Sequence, residues 1–155
     1  MISLEQIPVA GRIGPRKDVV DIAFWEGLAA GELRMQQCPS CQSWWWSPVW
    51  RCADCGSWDL RWRAIAPHGR VYSWIRSHQP FVPAMAAITP YVTLLVELPH
   101  AGNRRLFGIL FGPEEGLKIG APVEGVIQPA SELTHHQPVM RWKLVQTEKH
   151  SGGQS

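Results

Sequence analysis

The sequence predicts a mainly β protein in which a short N-terminal helix, a four-cysteine metal ribbon and a five-stranded, closed or nearly closed barrel follow one another. Three observations carry this reading. All four cysteines lie between Cys38 and Cys55, in two C-x2-C pairs. Beyond them, apolar residues recur with period two in five separate segments. Ahead of them, one segment has helical spacing.

Residues 1–17 contain Pro8, Gly11, Gly14 and Pro15 and show little periodicity, which reads as an extended arm lying on the protein itself or on a partner. Asp18 and Asp21 are both suitable N-caps for a helix through Val19, Ile22, Trp25, Leu28 and Ala29, and Gly31 sits where that helix would stop. The helix would cover an edge of the ribbon or barrel, or dock on another protein.

Cys38-Pro-Ser-Cys41 and Cys52-Ala-Asp-Cys55 are separated by ten residues, and Gly56 follows the second pair. A C-x2-C turn points two thiolates at one centre about 2.3 Å away, and two such turns complete a tetrahedral zinc sphere. The short separation suits a compact ribbon better than a finger with an intervening helix. A redox dithiol is the rival reading, but such motifs open a helix in a βαβ setting, and no parallel-strand pattern follows here. Cys38, Cys41, Cys52 and Cys55 are therefore the candidate zinc ligands. A site of four thiolates leaves no coordination position for water or substrate, so the expected role of the metal is structural and no catalytic residue is assigned to it.

Six of the nine tryptophans lie between Trp44 and Trp62. Trp44, Trp45 and Trp46 cannot all point one way on a strand, so at least one faces outward unless the helix, the barrel or another chain covers it.

The expected strands are Val71–Arg76, Tyr91–Leu98, Arg105–Phe111, Val123–Ile127 and Val139–Val145. Gly108 and Gly125 fall where a strongly bent barrel needs them, and a two-sheet sandwich is the competing architecture. Two irregular stretches remain. Residues 77–90, with Pro80, Pro83 and Pro90, form a loop longer than β-connections need, a length that tends to be functional. Residues 112–122 carry glycines and the pair Glu114 and Glu115, which reads as a solvated face. The expected organisation is an arm and helix over 1–32, the ribbon over 33–65, the barrel over 66–146 and a disordered tail over 147–155.

With 45% hydrophobic and 18% charged residues, the chain has a globular composition. It contains no apolar run of the ~18 residues that a membrane span requires, and no signal-peptide pattern at its start, so a cytoplasmic location is expected. Clustered thiols in a reducing compartment favour metal over disulfides. The formal charge is +2. Four thiolates around one divalent ion bring it to about 0, which argues against a generic nucleic-acid binder. The six histidines fall mostly in expected turns or the tail, and no nucleophile elbow, phosphate loop, H-E-x-x-H or dinucleotide fingerprint is present. The basic runs Arg12–Lys17 and Arg104-Arg105 read as solvent-exposed.

The order of features then becomes specific. Phe24-Trp25-Glu26-Gly27-Leu28, Gly31-Glu32-Leu33, Gln37-Cys38-Pro39-Ser40-Cys41, Cys52-Ala-Asp-Cys55-Gly56-Ser57, Gly69-Arg-Val71-Tyr72-Ser73-Trp74, Pro90-Tyr91-Val92 and Ile119-Gly120-Ala-Pro-Val123 together resemble the DUF35 family over roughly residues 20–145. Two stretches depart from it. Gln42–Pro48 stands where the family usually has glycine and a proline-rich strand, and Ala66-Pro67-His68 replaces a glycine-rich approach to Gly69.

The resemblance implies a rubredoxin-like zinc ribbon joined to an OB-fold barrel, with zinc at the four cysteines. It also implies a thiolase-like partner, of the acyltransferase or steroid side-chain aldolase type, whose acyl-CoA site the chain helps form or stabilise. Coenzyme A or acyl-CoA would then be a ligand shared with that partner, and the resemblance supplies no motif for its contacts. The expected function is a non-catalytic accessory subunit in a hetero-oligomer. A single-stranded nucleic-acid-binding OB protein is the alternative.

Overall fold

The computed structural model describes residues 1–11, 14 and 19–146. The expected tail and most of the basic run Arg12–Lys17 lie outside the described residues. Helix α1 spans Ile22–Ala29. Asp21 precedes it, but its Oδ2 accepts from the Trp25 indole N–H at 2.9 Å and takes no backbone N–H. Phe24, Gly27 and Leu28 form the buried face of the helix.

Strand β1 (Leu33–Gln37) follows and is the centre of a small antiparallel sheet, flanked by β2 (Trp44–Trp45) and β3 (Arg61–Ile65). Gln36 is buried at this centre and uses both ends of its amide on one residue. Its Nε2 donates to the Val49 carbonyl at 3.0 Å, and its Oε1 accepts from the Val49 N–H at 2.8 Å. That pair satisfies a buried polar side chain and ties the loop between the cysteine pairs to β1.

The barrel consists of β4 (His68–Ser77), β5 (Tyr91–Leu98), β6 (Arg104–Ile109), β7 (Pro122–Gln128) and β8 (Val139–Leu144). Their order is β6-β5-β4-β7-β8, antiparallel throughout. The sheet curls until its ends approach: Leu110 forms a parallel bridge with Trp142, and the Phe111 N–H donates to the Trp142 carbonyl at 2.9 Å. One curled sheet, not a sandwich of two, is the result. Trp142 fills its centre, fully buried, and the two glycines leave room for it. A Cβ at Gly108 would collide with the Trp142 ring, and one at Gly125 would lie 2.9 Å from the same ring.

Phe24 and Leu28 of α1 and Leu33 and Met35 of β1 join Val92, Leu94, Val96, Leu98 and Trp142 in one hydrophobic core. Ribbon and barrel are thereby packed as a unit, which gives the ribbon an interior that it is too small to make alone.

Strict alternation in β4 does not hold. A bulge lies between Val71 and Ser73, so Val71 pairs with inward-facing Val96, whereas Ser73 and Ile75 pair with outward-facing Leu95 and Thr93. The extra residue flips the phase, and Ile75 becomes exposed. The period-two pattern of Val71–Arg76 would put Val71, Ser73 and Ile75 on one face, and the bulge overturns that expectation.

The described part of the arm, residues 1–11, lies on the protein itself. Ile7 is fully buried with Met85, Ile88 and Ile109 in a second apolar cluster, formed outside the barrel where Ile109 faces outward from β6. Residues 77–90 supply Met85 and Ile88 from a 3-10 turn, Pro83–Ile88. The long loop is thus a strap over the sheet. The Gly112 N–H donates to the Ile2 carbonyl at 2.8 Å, and the Val9 N–H to the Leu133 carbonyl at 3.0 Å.

Candidate metal centre

The two cysteine turns have the same backbone geometry. In the first, the Cys38 N–H donates to the Ser43 carbonyl at 2.9 Å and the Gln42 N–H to the Cys38 carbonyl at 2.8 Å. In the second, the Cys52 N–H donates to the Ser57 carbonyl and the Gly56 N–H to the Cys52 carbonyl, both at 2.9 Å. Each turn closes through a left-handed residue, Gln42 at φ 65° and Gly56 at φ 77°. Gln42 thus takes a conformation normally left to glycine. Its side-chain Nε2 donates to the Pro39 carbonyl at 2.8 Å, a contact that glycine could not make.

These turns gather all four sulfurs within 4.8 Å of one another. Cys38 and Cys55 Sγ are 3.6 Å apart, and Cys41 and Cys52 Sγ are 3.5 Å apart. A tetrahedron with Zn–S of about 2.3 Å has edges of about 3.8 Å, so the four sulfurs fit a zinc ion.

The proton affinities point the same way. Burial pushes the Cys52 thiol up, but the backbone N–H groups of Cys55 and Asp54 and the neighbouring thiols outweigh it and bring Cys52 down to about 6. Cys38 is lowered through the same opposition, burial against the N–H groups of Cys41 and Ser40. For Cys55, the Ser57 backbone lowers the pKa, but burial and the other three thiols raise it to about 12. Such a cluster readily forms thiolates but cannot hold four negative charges without a cation. Around it, Ser43 donates to Asp54 Oδ2 at 2.5 Å and sits 3.3 Å from Cys41 Sγ, linking the two turns.

The tryptophan triplet is half-buried, covered in part from within. Trp46 packs on Phe24 at 4.6 Å between ring centres, Trp45 lies under the Arg104 guanidinium at 4.8 Å, and Trp44 abuts Gly102. Helix and barrel do this covering, and the exposed tryptophans of the ribbon are Trp50 (65%) and Trp58 (72%) beside the cysteine turns. They border a groove of about 320 Å³ between α1 and the ribbon, with Ile22, Gln36 and Trp62 among its other walls.

Of the two glutamates expected on a solvated face, Glu115 is exposed, whereas Glu114 is half-buried and pairs with Arg76 at 2.5 Å. His68 stacks on His100, ring centres 4.8 Å apart, and His100 Nε2 lies 2.9 Å from the Ala66 carbonyl. Sequence reasoning missed a cluster on the outer barrel face. There Glu97 Oε1 accepts from Arg70 at 2.5 Å, its Oε2 accepts from Arg105 at 3.3 Å, and the Arg105 guanidinium lies 3.5 Å from the centre of the Tyr72 ring. The available signal was Glu97 at an otherwise apolar strand end, opposite the run Arg104-Arg105.

Comparison with known proteins agrees with this architecture. Residues 25–60 match the model described as the ChsH2 rubredoxin-like zinc ribbon domain, and residues 62–128 match the ChsH2 C-terminal OB-fold domain. No curated protein matches the sequence. Among solved structures, a chain of the "Ltp2-ChsH2(DUF35) aldolase" superposes with a TM-score of 0.71 at 29% identity, over 86% of this chain and 98% of that one. A DUF35 protein of unknown function from Sulfolobus solfataricus superposes with a TM-score of 0.56 over 83% of this chain and 87% of that one. At 16% identity it speaks for the fold alone. No helix among the described residues is long and apolar enough to cross a membrane. With both ribbon and barrel matched in the expected order, the chain belongs to the DUF35 family of zinc-ribbon OB-fold proteins.

Proposed function

We propose that this protein is a non-catalytic accessory subunit of a thiolase-like acyl-CoA enzyme, of the thiolase or steroid side-chain aldolase type, and helps form or stabilise that enzyme's acyl-CoA site. The observation that carries the reading is the match over nearly the whole length of a chain belonging to an aldolase that pairs Ltp2 with ChsH2. Cys38, Cys41, Cys52 and Cys55 hold one structural zinc ion in this reading. A four-thiolate sphere exposes no metal position to substrate, so the reacting groups belong to the partner. The cytoplasm, where thiols stay reduced, suits such a site.

The test is reconstitution. A thiolase-like protein made in the same cell should co-purify with this chain, and acyl-CoA turnover should require both proteins. Turnover by the isolated chain, or full activity of the thiolase-like protein without it, defeats the proposal.

A second reading draws on one observation. Tyr72, Arg105 and Phe107 are all exposed on the outer barrel face, and aromatic and arginine side chains together suit base stacking on single strands. Anisotropy titration with labelled oligonucleotides at low salt checks it, since true binding must weaken steeply as salt rises.

A further inference from the structure

We infer that the outer face of β4, β5 and β6, together with the cleft at the β6 edge, is the docking surface for the protein partner, and that the partner offers it a bulky apolar side chain flanked by a carboxylate. This rests on the accessory-subunit reading and specifies its contact. The strand register aligns two rows across the face. Arg105, Glu97 and Arg70 form one; Phe107, Leu95 and Ser73 form the other, with Ile75 next along β4. The arm and strap cover the neighbouring end of the same face through Ile7, Met85 and Ile88 over Ile109. They leave Phe107 73% and Ile75 64% exposed. Phe107 also forms part of the lip of an apolar cleft of about 270 Å³, walled by Trp25, Trp46, Leu106, Val139 and Met140. Exposed apolar strip and cleft are therefore continuous, an arrangement that suits a buried anchor residue.

The charges name the partner's chemistry. Two guanidiniums against one carboxylate leave one net positive charge at the edge of the strip. Glu97, itself largely buried, fixes both arginines, and Tyr72 backs Arg105. Arg105 gives its Nε to Glu97, and its two Nη nitrogens make no hydrogen bond among the described residues. A preorganised, partly exposed guanidinium with unengaged donors beside an apolar strip selects a carboxylate next to an apolar side chain. A single surplus charge is too little to follow a phosphate backbone.

The test uses the full chain, tagged and purified from its host, with co-purifying proteins identified and quantified by mass spectrometry. Phe107→Asp and Ile75→Asp should each lower recovery of the thiolase-like protein at least tenfold, and Arg105→Ala at least threefold. Trp58→Asp in the ribbon groove should leave recovery unchanged. Zinc content and circular dichroism show which variants fold. Hydrogen exchange of the wild-type complex, which needs no variant, should protect β5 and β6 relative to the free chain. If the thiolase-like protein is recovered equally with the barrel variants, is lost with Trp58→Asp, or leaves β5 and β6 unprotected, this surface is wrong while the accessory role stands. Recovery of no thiolase-like protein by wild type overturns the role and the surface together. Oligonucleotide binding abolished by Arg105→Ala overturns the protein partner in favour of nucleic acid.

Discussion

Arg141 donates from Nε to Gln128 Oε1 at 2.8 Å, and both residues spend their remaining polar reach on the N-terminal arm. Arg141 Nη2 donates to the Pro8 carbonyl at 3.1 Å and Gln128 Nε2 to the Ile7 carbonyl at 2.9 Å. Both are buried, and burial lowers the Arg141 pKa to about 10, which still leaves it charged at neutral pH. Gln128→Ala would leave the buried Nε of Arg141 and the Ile7 carbonyl without partners, with only the Pro8 contact left to the guanidinium. The expected cost is about 1–3 kcal/mol, and amides of residues 2–9 should exchange faster. Unchanged exchange there would show that the arm is held by apolar contacts alone.

Much of this architecture was legible because it is periodic or stoichiometric. Four cysteines at fixed spacing leave few pairings to consider, and β5 announces itself through Val92, Leu94, Val96 and Leu98. The bulge at Tyr72 was not legible, since one extra residue in a strand changes nothing in the local composition. Nor was the Gln128–Arg141 pair: two polar residues in separate strands do not reveal that both lie beneath the arm. The Glu97 cluster needed the register to bring Arg70 and Arg105 together from opposite sides. What packs on Trp44–Trp46 was illegible for the same reason, because it comes from α1, the β5–β6 turn and Arg104.

Gly108→Ala places a methyl group against the indole of Trp142 at the centre of the barrel. Overpacking of this kind costs typically about 1–3 kcal/mol, because neither the strand nor the fully buried ring has room to move. A lower midpoint in chemical denaturation, with unchanged zinc content, is the expected result. A wild-type midpoint would mean that β6 and β8 are farther apart than the parallel bridge at Leu110 indicates.

Metal analysis of material purified under reducing conditions should find one zinc per chain. Cobalt substitution should give the absorption of a tetrahedral thiolate site. Cys52→Ala removes a ligand whose proton affinity is already depressed, and loss of metal should unfold the ribbon and loosen the core that Leu33 and Met35 share with the barrel. A Cys52→Ala protein with native stability and no bound metal would remove the structural role assigned to the four sulfurs.

The two metal turns differ in the residue that closes them, which allows a matched comparison. Gly56→Ala imposes a Cβ on a backbone at φ 77° and brings it 2.9 Å from the Arg51 guanidinium. A loss of about 1 kcal/mol is expected. Gln42→Gly relieves a similar strain at φ 65°, but gives up the bond to Pro39 and adds freedom to the unfolded chain. Its stability should therefore stay within about 0.5 kcal/mol of wild type. Equal destabilisation by both substitutions would show that the left-handed residue does not distinguish the turns.

Glu97 supplies a pH signature. Hydrogen bonding by Arg70 lowers its pKa below the usual carboxylate value despite burial, with Arg105 adding to the effect. The folded protein therefore holds this proton less tightly than the unfolded chain does. By linkage, the contribution of Glu97 is complete above the unfolded value of about 4.3, declines as pH falls below it, and is gone once pH has passed below the folded value. Glu97→Gln keeps the shape but removes the charge, so between pH 7 and pH 3 its stability should fall less steeply than that of wild type. Denaturation midpoints across that range provide the measurement, and parallel curves for the two proteins would mean that the Arg70–Glu97–Arg105 bridge contributes nothing to folding and leaves both guanidiniums free to move.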